Sequence, residues 1–261
     1  MSWNVSIIQM DIVFGDPEQN FLAAENWIKA ACEGKETDIV ILPELWTTGY
    51  DLTRLSEIGD SHAQKAISFF QKLAKTYQVH IIGGSVANKK DDGIYNTLLV
   101  INKEGQLVHT YDKLHLFQLM DEHLYLKSGS TTGLFTLDDE ILAGMICYDI
   151  RFPEWVRTHT SKGAKVLFVS AEWPLARLVH WKALLIARAI ENQCYIVACN
   201  RSGSDPKNEF AGHSLIIDPW GEVIGEAGEK QEILTRTIDL AKVTEVREMI
   251  PIFTDRKPEF Y

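Results

Sequence analysis

A chain of 261 residues, 46% hydrophobic and 24% charged, can bury a core of its own without disulfides or metal. Its 36 acidic and 26 basic residues leave a net charge of −10, which speaks against nucleic acid and anionic membranes as general partners. No apolar run reaches the ~18–20 residues of a membrane span, and the first residues lack the basic region and apolar length of a secretory signal. A cytoplasmic location is expected. None of the four cysteines makes a C-x-x-C pair or a histidine-containing zinc pattern, so they read as thiols in a reducing compartment, with metal binding not expected.

The elements follow in chain order. Val5 to Met10 reads as a strand. A helix over 17–31 has Asp16 as N-cap and Pro17 at its first position, with Phe21, Leu22, Trp27 and Ile28 as the apolar stripe. Asp38 to Pro43 is a buried strand. Ser61 to Tyr77 is helical, with Ala66, Phe69, Phe70 and Leu73 on one face. His80 to Val86 is a strand whose glycines indicate close backbone approach. Tyr95 to Asn102 and Gln106 to Tyr111 form a hairpin. The apolar run Ile141 to Ile146 is a strand, followed by a helix over 153–162.

Lys165 to Ser170, the helix 176–191 and the strand Cys194 to Cys199 continue the alternation. His213 to Asp218 and Glu222 to Glu226 form a second hairpin, and Glu232 to Ile238 a last strand. Asp239 caps a helix over 240–249, and an extended tail is expected beyond it. The βαβ units require parallel pairing and the hairpins antiparallel pairing. The pattern is α/β, a mixed sheet system covered by helices, and with no linker, repeat or low-complexity segment residues 1–261 are expected to make one domain.

Three reactive side chains stand where strands end. Glu44 follows Leu42-Pro43, Lys113 follows Tyr111-Asp112, and Cys147 lies between a strand and the Pro153-Glu154 helix start. Strand carboxyl ends are where α/β folds present reactive groups. Taken singly, each has a bland reading: a loop carboxylate, a snorkelling lysine, a buried thiol. Together they supply a base, a cation for an oxyanion, and a nucleophile for attack on a carbonyl or nitrile carbon.

Across nearly its whole length the chain resembles the nitrilase superfamily, the carbon–nitrogen hydrolases. The motifs that carry the resemblance are Leu42-Pro-Glu44 with Thr48-Gly49-Tyr50, Tyr95-Asn96-Thr97, Tyr111-Asp-Lys113-Leu-His115-Leu-Phe117, Cys147-Tyr-Asp-Ile-Arg-Phe-Pro-Glu154, Arg188-Ala-Ile-Glu-Asn192, Gly212-His-Ser214 and Asp218-Pro-Trp-Gly221. The resemblance implies a four-layer αββα sandwich of two mixed sheets flanked by helices, with subunits pairing into a homodimer through their helical layers. It implies Glu44 as general base, Lys113 as the cationic stabiliser and Cys147 as nucleophile. Glu122, placed by its spacing to Gly129, matches a second glutamate that orients the lysine. The backbone N–H of Tyr148 would be a further oxyanion donor, and Trp173 either walls the pocket or packs at its rim. Arg151 and Glu154 read as charges fixing the turn after the cysteine, with direct substrate contact as the alternative, and Asn192, His213 and Trp220 as scaffold.

Within that family the motifs are most similar to the omega-amidase branch. The implied reaction is hydrolysis of the terminal amide of 2-oxo dicarboxylic acid monoamides, such as 2-oxoglutaramate and 2-oxosuccinamate, through a cysteine thioester and without a cofactor. Alternatives are a carbamoyl-amide or aliphatic nitrile hydrolase and, in another class, a non-catalytic protein that binds small amides. Arg177, His115 and backbone donors are the candidates for holding the substrate carboxylate.

Overall fold

The computed structural model describes residues 1–260. In chain order the main elements are β1 (Ser2–Gln9), α1 (Pro17–Cys32), β2 (Ile39–Ile41), β3 (Asp60–Ser61), α2 (Gln64–Tyr77), β4 (His80–Lys90), β5 (Gly93–Ile101), β6 (Leu107–Asp112) and β7 (Leu134–Leu137). After them come β8 (Glu140–Ile146), α3 (Pro153–Thr160), β9 (Val166–Ala171), α4 (Leu178–Asn192), β10 (Tyr195–Asn200), β11 (Leu215–Ile217), β12 (Val223–Glu226), β13 (Glu232–Asp239) and α5 (Ala241–Met249).

One sheet runs β13-β1-β2-β4-β5-β6, with the short β3 beside β4, and the other runs β12-β11-β10-β9-β8-β7. In each, parallel strands form the middle and antiparallel pairs the edges. The period of two along the strands explains the layering. Val5, Ile7, Ile39 and Ile41 face the second sheet, where Ile146, Phe168 and Val197 share their core. The alternate residues Ile8, Met10, Val40 and Leu42 face outward onto Phe21 and Ile28 of α1 and Phe70 and Leu73 of α2. The far side of the second sheet is covered by Val156 of α3 and by Trp181, Leu185 and Ala189 of α4. The result is the four-layer αββα sandwich expected from the motifs. Strands buried on both faces read as unbroken apolar runs, which is why β2, β8 and β10 stand out in the sequence.

Four details differ from the expectations. Leu22 is 63% exposed, since the buried stripe of α1 runs through Phe21, Ala24 and Ile28 instead. The helix expected from Ser61 begins at Gln64, because Asp60–Ser61 pair with β4 and the Asp60 carboxylate receives the Lys65 and Ala66 N–H groups. The strand β7, hidden in a short sequence with little alternation, pairs with β8. The tail after Met249 is not wholly extended: Ile252–Asp255 makes a helical turn and Pro258–Phe260 a 3₁₀ turn. Asp16 does cap α1, accepting the Gln19 N–H.

Candidate active site

The turn after β2 is built against an opening in β4. Pairing of β4 with β5 breaks between Ile82 and Ser85, at Gly83-Gly84. Gly84 has φ +61°, and a Cβ there would lie 2.1 Å from the Pro43 carbonyl oxygen, so only glycine lets the Leu42-Pro43-Glu44 turn approach. Ser85 then locks the turn. Its N–H donates to Pro43 O (3.2 Å), its carbonyl accepts from the Trp46 N–H (3.1 Å), and its Oγ accepts from the Leu45 N–H (2.9 Å). Leu45 pays for this geometry with φ +40°. Glu44 is thereby aimed into the interior and is fully buried.

Lys113, at the end of β6, is buried as completely, and its Nζ donates to Glu44 Oε1 at 2.8 Å and Glu122 Oε1 at 2.6 Å. Glu122 opens the one-turn helix Glu122–Tyr125 and reaches back, its Oε2 accepting the Phe117 N–H at 2.8 Å. The Tyr50 hydroxyl donates to both glutamates, and Asn96 Nδ2 donates to Glu44 Oε1 at 2.8 Å. Glu44 Oε2 accepts the backbone N–H of Glu172 at 3.0 Å. Every carboxylate oxygen of this pair therefore has a donor. Burial alone would drive the Lys113 pKa down, but Glu122 and Glu44 outweigh it and hold the ammonium above its ordinary value. Burial pushes Glu122 and the Tyr50 hydroxyl up.

Cys147 ends β8 in the left-handed region, with φ +43°. A non-glycine residue held there signals a position fixed by its surroundings. Asp149, fully buried, does the fixing: its carboxylate accepts the Ile146 N–H (3.0 Å), the Tyr111 hydroxyl (2.8 Å), the His115 N–H (3.2 Å) and His115 Nδ1 (2.7 Å). One side chain thus ties the Cys147 turn to the segment that carries Lys113. Burial, then the nearby Glu44 charge, raises the Cys147 thiol well above its usual range. It rests protonated beside a base. Tyr148 lies in the first turn of the 3₁₀ segment Cys147–Arg151, where backbone N–H groups lack intrahelical acceptors.

A narrow cleft opens at the thiol, walled by Phe117, Cys147, Tyr148, Arg151, Glu172, Trp173, Pro174 and Arg177. Trp173 is 2% exposed, and its indole N–H donates to the Arg177 carbonyl at 2.8 Å, so it packs and forms the wall at once. Arg151 lies over the Trp173 ring at 4.9 Å and Arg177 over Phe117 at 5.7 Å. Neither guanidinium has a carboxylate within ion-pair distance among the described residues. This corrects the reading of Arg151 as a turn-fixing charge, a task that Asp149 performs, while Glu154 is exposed. It also narrows the carboxylate candidates, because His115 is engaged by Asp149 and stacked on Phe152 at 3.7 Å.

The structure thus brings Glu44, Lys113, Glu122 and Cys147 together, with Tyr148 and Trp173 on the cavity wall. Sequence reasoning passed over Tyr50, Asn96, Asp149 and Glu172. Tyr50, Asn96 and Asp149 lie inside the family motifs, which is their only signal in the sequence. Glu172 follows an apolar strand in the same manner as Glu44 and deserved the same question.

Residues 4–248 match the family model described as carbon-nitrogen hydrolase. The chain is 56% identical over 261 residues to a 2-oxoglutaramate amidase of Bacillus subtilis (strain 168), covering 100% of both proteins. It is 35% identical over 254 residues to the omega-amidase YafV of Escherichia coli (strain K12), covering 96% of this chain and 95% of that one. Among solved structures, XC1258 of Xanthomonas campestris, a CN-hydrolase superfamily protein, superposes with a TM-score of 0.92 at 30% identity, covering 98% of each chain. Saccharomyces cerevisiae Nit3, of the nitrilase superfamily, superposes with a TM-score of 0.88 at 26% identity over 96% of this chain and 94% of that one. The chain belongs to the carbon–nitrogen hydrolase family.

Proposed function

We propose that the chain, acting as one domain, hydrolyses the terminal amide of 2-oxo dicarboxylic acid monoamides to the 2-oxo diacid and ammonia. The observation that carries this reading is the cavity itself, where a thiol beside a buried acid and ammonium faces two arginines that have no carboxylate partner. A monoamide of a diacid has the matching ends, an acyl carbon for the thiol and a carboxylate for Arg151 and Arg177. The likeness to a 2-oxoglutaramate amidase and an omega-amidase supports it.

In this scheme Glu44 takes the thiol proton as Cys147 Sγ bonds to the amide carbon. The ammonium of Lys113, kept charged by its two carboxylates, and the Tyr148 N–H hold the oxyanion. Glu44 returns the proton to the departing ammonia, then draws one from the water that cleaves the thioester. Glu122 keeps Lys113 in place. The enzyme works in the cytoplasm as a homodimer. The exposed apolar Val179 and Ile190 of α4, with Trp220 and Val223 of the β11–β12 hairpin, support a pairing face on that helical layer.

The test is ammonia release from omega-amides, carbamoyl amino acids and aliphatic nitriles under one set of conditions. Fastest turnover is expected with 2-oxo amides. Faster turnover of a nitrile or a carbamoyl compound would replace the substrate assignment, and ligand binding with no turnover of any compound would make the protein a sensor.

A further inference from the structure

Resting on that reading of the site, one oxygen stands out. Glu172 follows β9, is fully buried and lines the cavity beside Cys147. Its Oε2 accepts from Arg201 at 2.8 Å, while its Oε1, also buried, has no hydrogen-bond partner among the described residues. A buried polar atom without a partner is costly, and at the wall of a binding cavity the missing partner is best supplied by the ligand.

We propose that Glu172 is a specificity-determining residue, whose Oε1–H donates a hydrogen bond to the 2-oxo oxygen of the substrate. The direction of that bond follows from Arg201. Its N–H occupies Oε2, so a proton on this acid sits on Oε1. The remaining acceptors of the substrate are already assigned: the amide oxygen to Lys113 and the Tyr148 N–H, the carboxylate to Arg151 and Arg177. The ketone oxygen between them is the acceptor left over.

The surroundings keep the acid neutral. Burial pushes Glu172 up to about 8, against the opposing pull of Arg201 and with the Glu44 and Asp205 charges adding to the rise. Asp11, which shares the Arg201 guanidinium, Tyr50, whose hydroxyl is itself held protonated, and Cys147, Arg151 and Arg177 of the cavity are further ionisable groups around it. The donor is therefore present at neutral pH and lost above pH 8.

The test compares kcat/KM for 2-oxosuccinamate with that for succinamate, which lacks only the ketone. In the native protein this ratio should fall about tenfold or more between roughly pH 6.5 and 9.5, the worth of one buried hydrogen bond. Groups that serve both substrates, such as the thiol, cancel in the ratio. Glu172→Gln turns its oxygen to Arg201 and its NH2 to the cavity, so it should keep the preference and abolish its pH dependence. Glu172→Leu should lose the preference at every pH. A ratio flat with pH in the native protein, or one that follows the same curve in Glu172→Gln, overturns the inference even if Glu172→Leu does not fold. Turnover of neither amide by the native protein overturns the functional reading itself, so the two failures are distinguishable.

Discussion

Two buried clusters of opposite charges sit side by side at the strand ends, and they are built differently. Around Lys113, the carboxylates of Glu44 and Glu122 spend every oxygen on donors from the protein. Around Arg201, the Glu172 carboxyl spends one oxygen and leaves the other bare, while Asp11, bonded to the same guanidinium at 2.8 Å, is 43% exposed at its side chain. Saturation immobilises the first cluster and keeps its lysine charged for chemistry. The open valence of the second makes it responsive to ligand and to protons. A polar network with no spare capacity positions groups, and one with a single spare atom recognises.

The largest effect should come from a change that touches no charge in either cluster. Cys147→Ala is expected to lower ammonia release by about 10⁴-fold or more while leaving the thermal unfolding midpoint nearly unchanged. Residual turnover near the native rate would dismiss the thiol as nucleophile. Next, Lys113→Met strands two buried carboxylates, and urea titration should show a loss of about 3–5 kcal/mol. Arg201→Met is the sharper comparison. Glu172 can neutralise itself by keeping its proton and Asp11 can reach water, so the loss should be smaller, about 1–3 kcal/mol. Equal losses in the two variants would erase the distinction between the clusters.

Tyr50→Phe removes the hydroxyl shared by Glu44 and Glu122, for an expected cost of about 1 kcal/mol in the same titration. The remaining test is pH. Glu172 ionises near 4.5 in an unfolded chain and near 8 in the folded one, so across that window the native state holds the extra proton. Stability contributed by the neutral acid is complete below pH 4.5 and declines as pH rises toward 8. Glu172→Gln should flatten that slope, and an identical slope in both proteins would assign it to other groups.

Much of this was legible in the chain. Fully buried strands advertise themselves as apolar runs, Asp16-Pro17 marks a helix start by local hydrogen bonding, and reactive residues directly after such runs mark strand ends. Gly83-Gly84 signalled a close approach, although only the folded chain shows that the approaching segment is the Glu44 turn. What failed were readings in which the deciding neighbour is remote. Leu22 fits a helical stripe, but the direction of the sheet beneath α1 selects Phe21 and Ala24. Arg151 looked like part of a turn, but its partners include the remote Trp173 ring and His180 imidazole besides the ring of Tyr148.

The amino-acid order alone determined the alternation of strands and helices and the family resemblance, and it singled out Glu44, Lys113 and Cys147 as candidates, because local periodicity and strand-end position are written along the chain. Which carboxylate oxygens are satisfied was decided only by folding. The donors to Glu44 come from residues 50, 96, 113 and 172; the first three are carried by strands and turns of its own sheet and the last by the other sheet, so the full set exists only once distant strands have paired and the two sheets have packed.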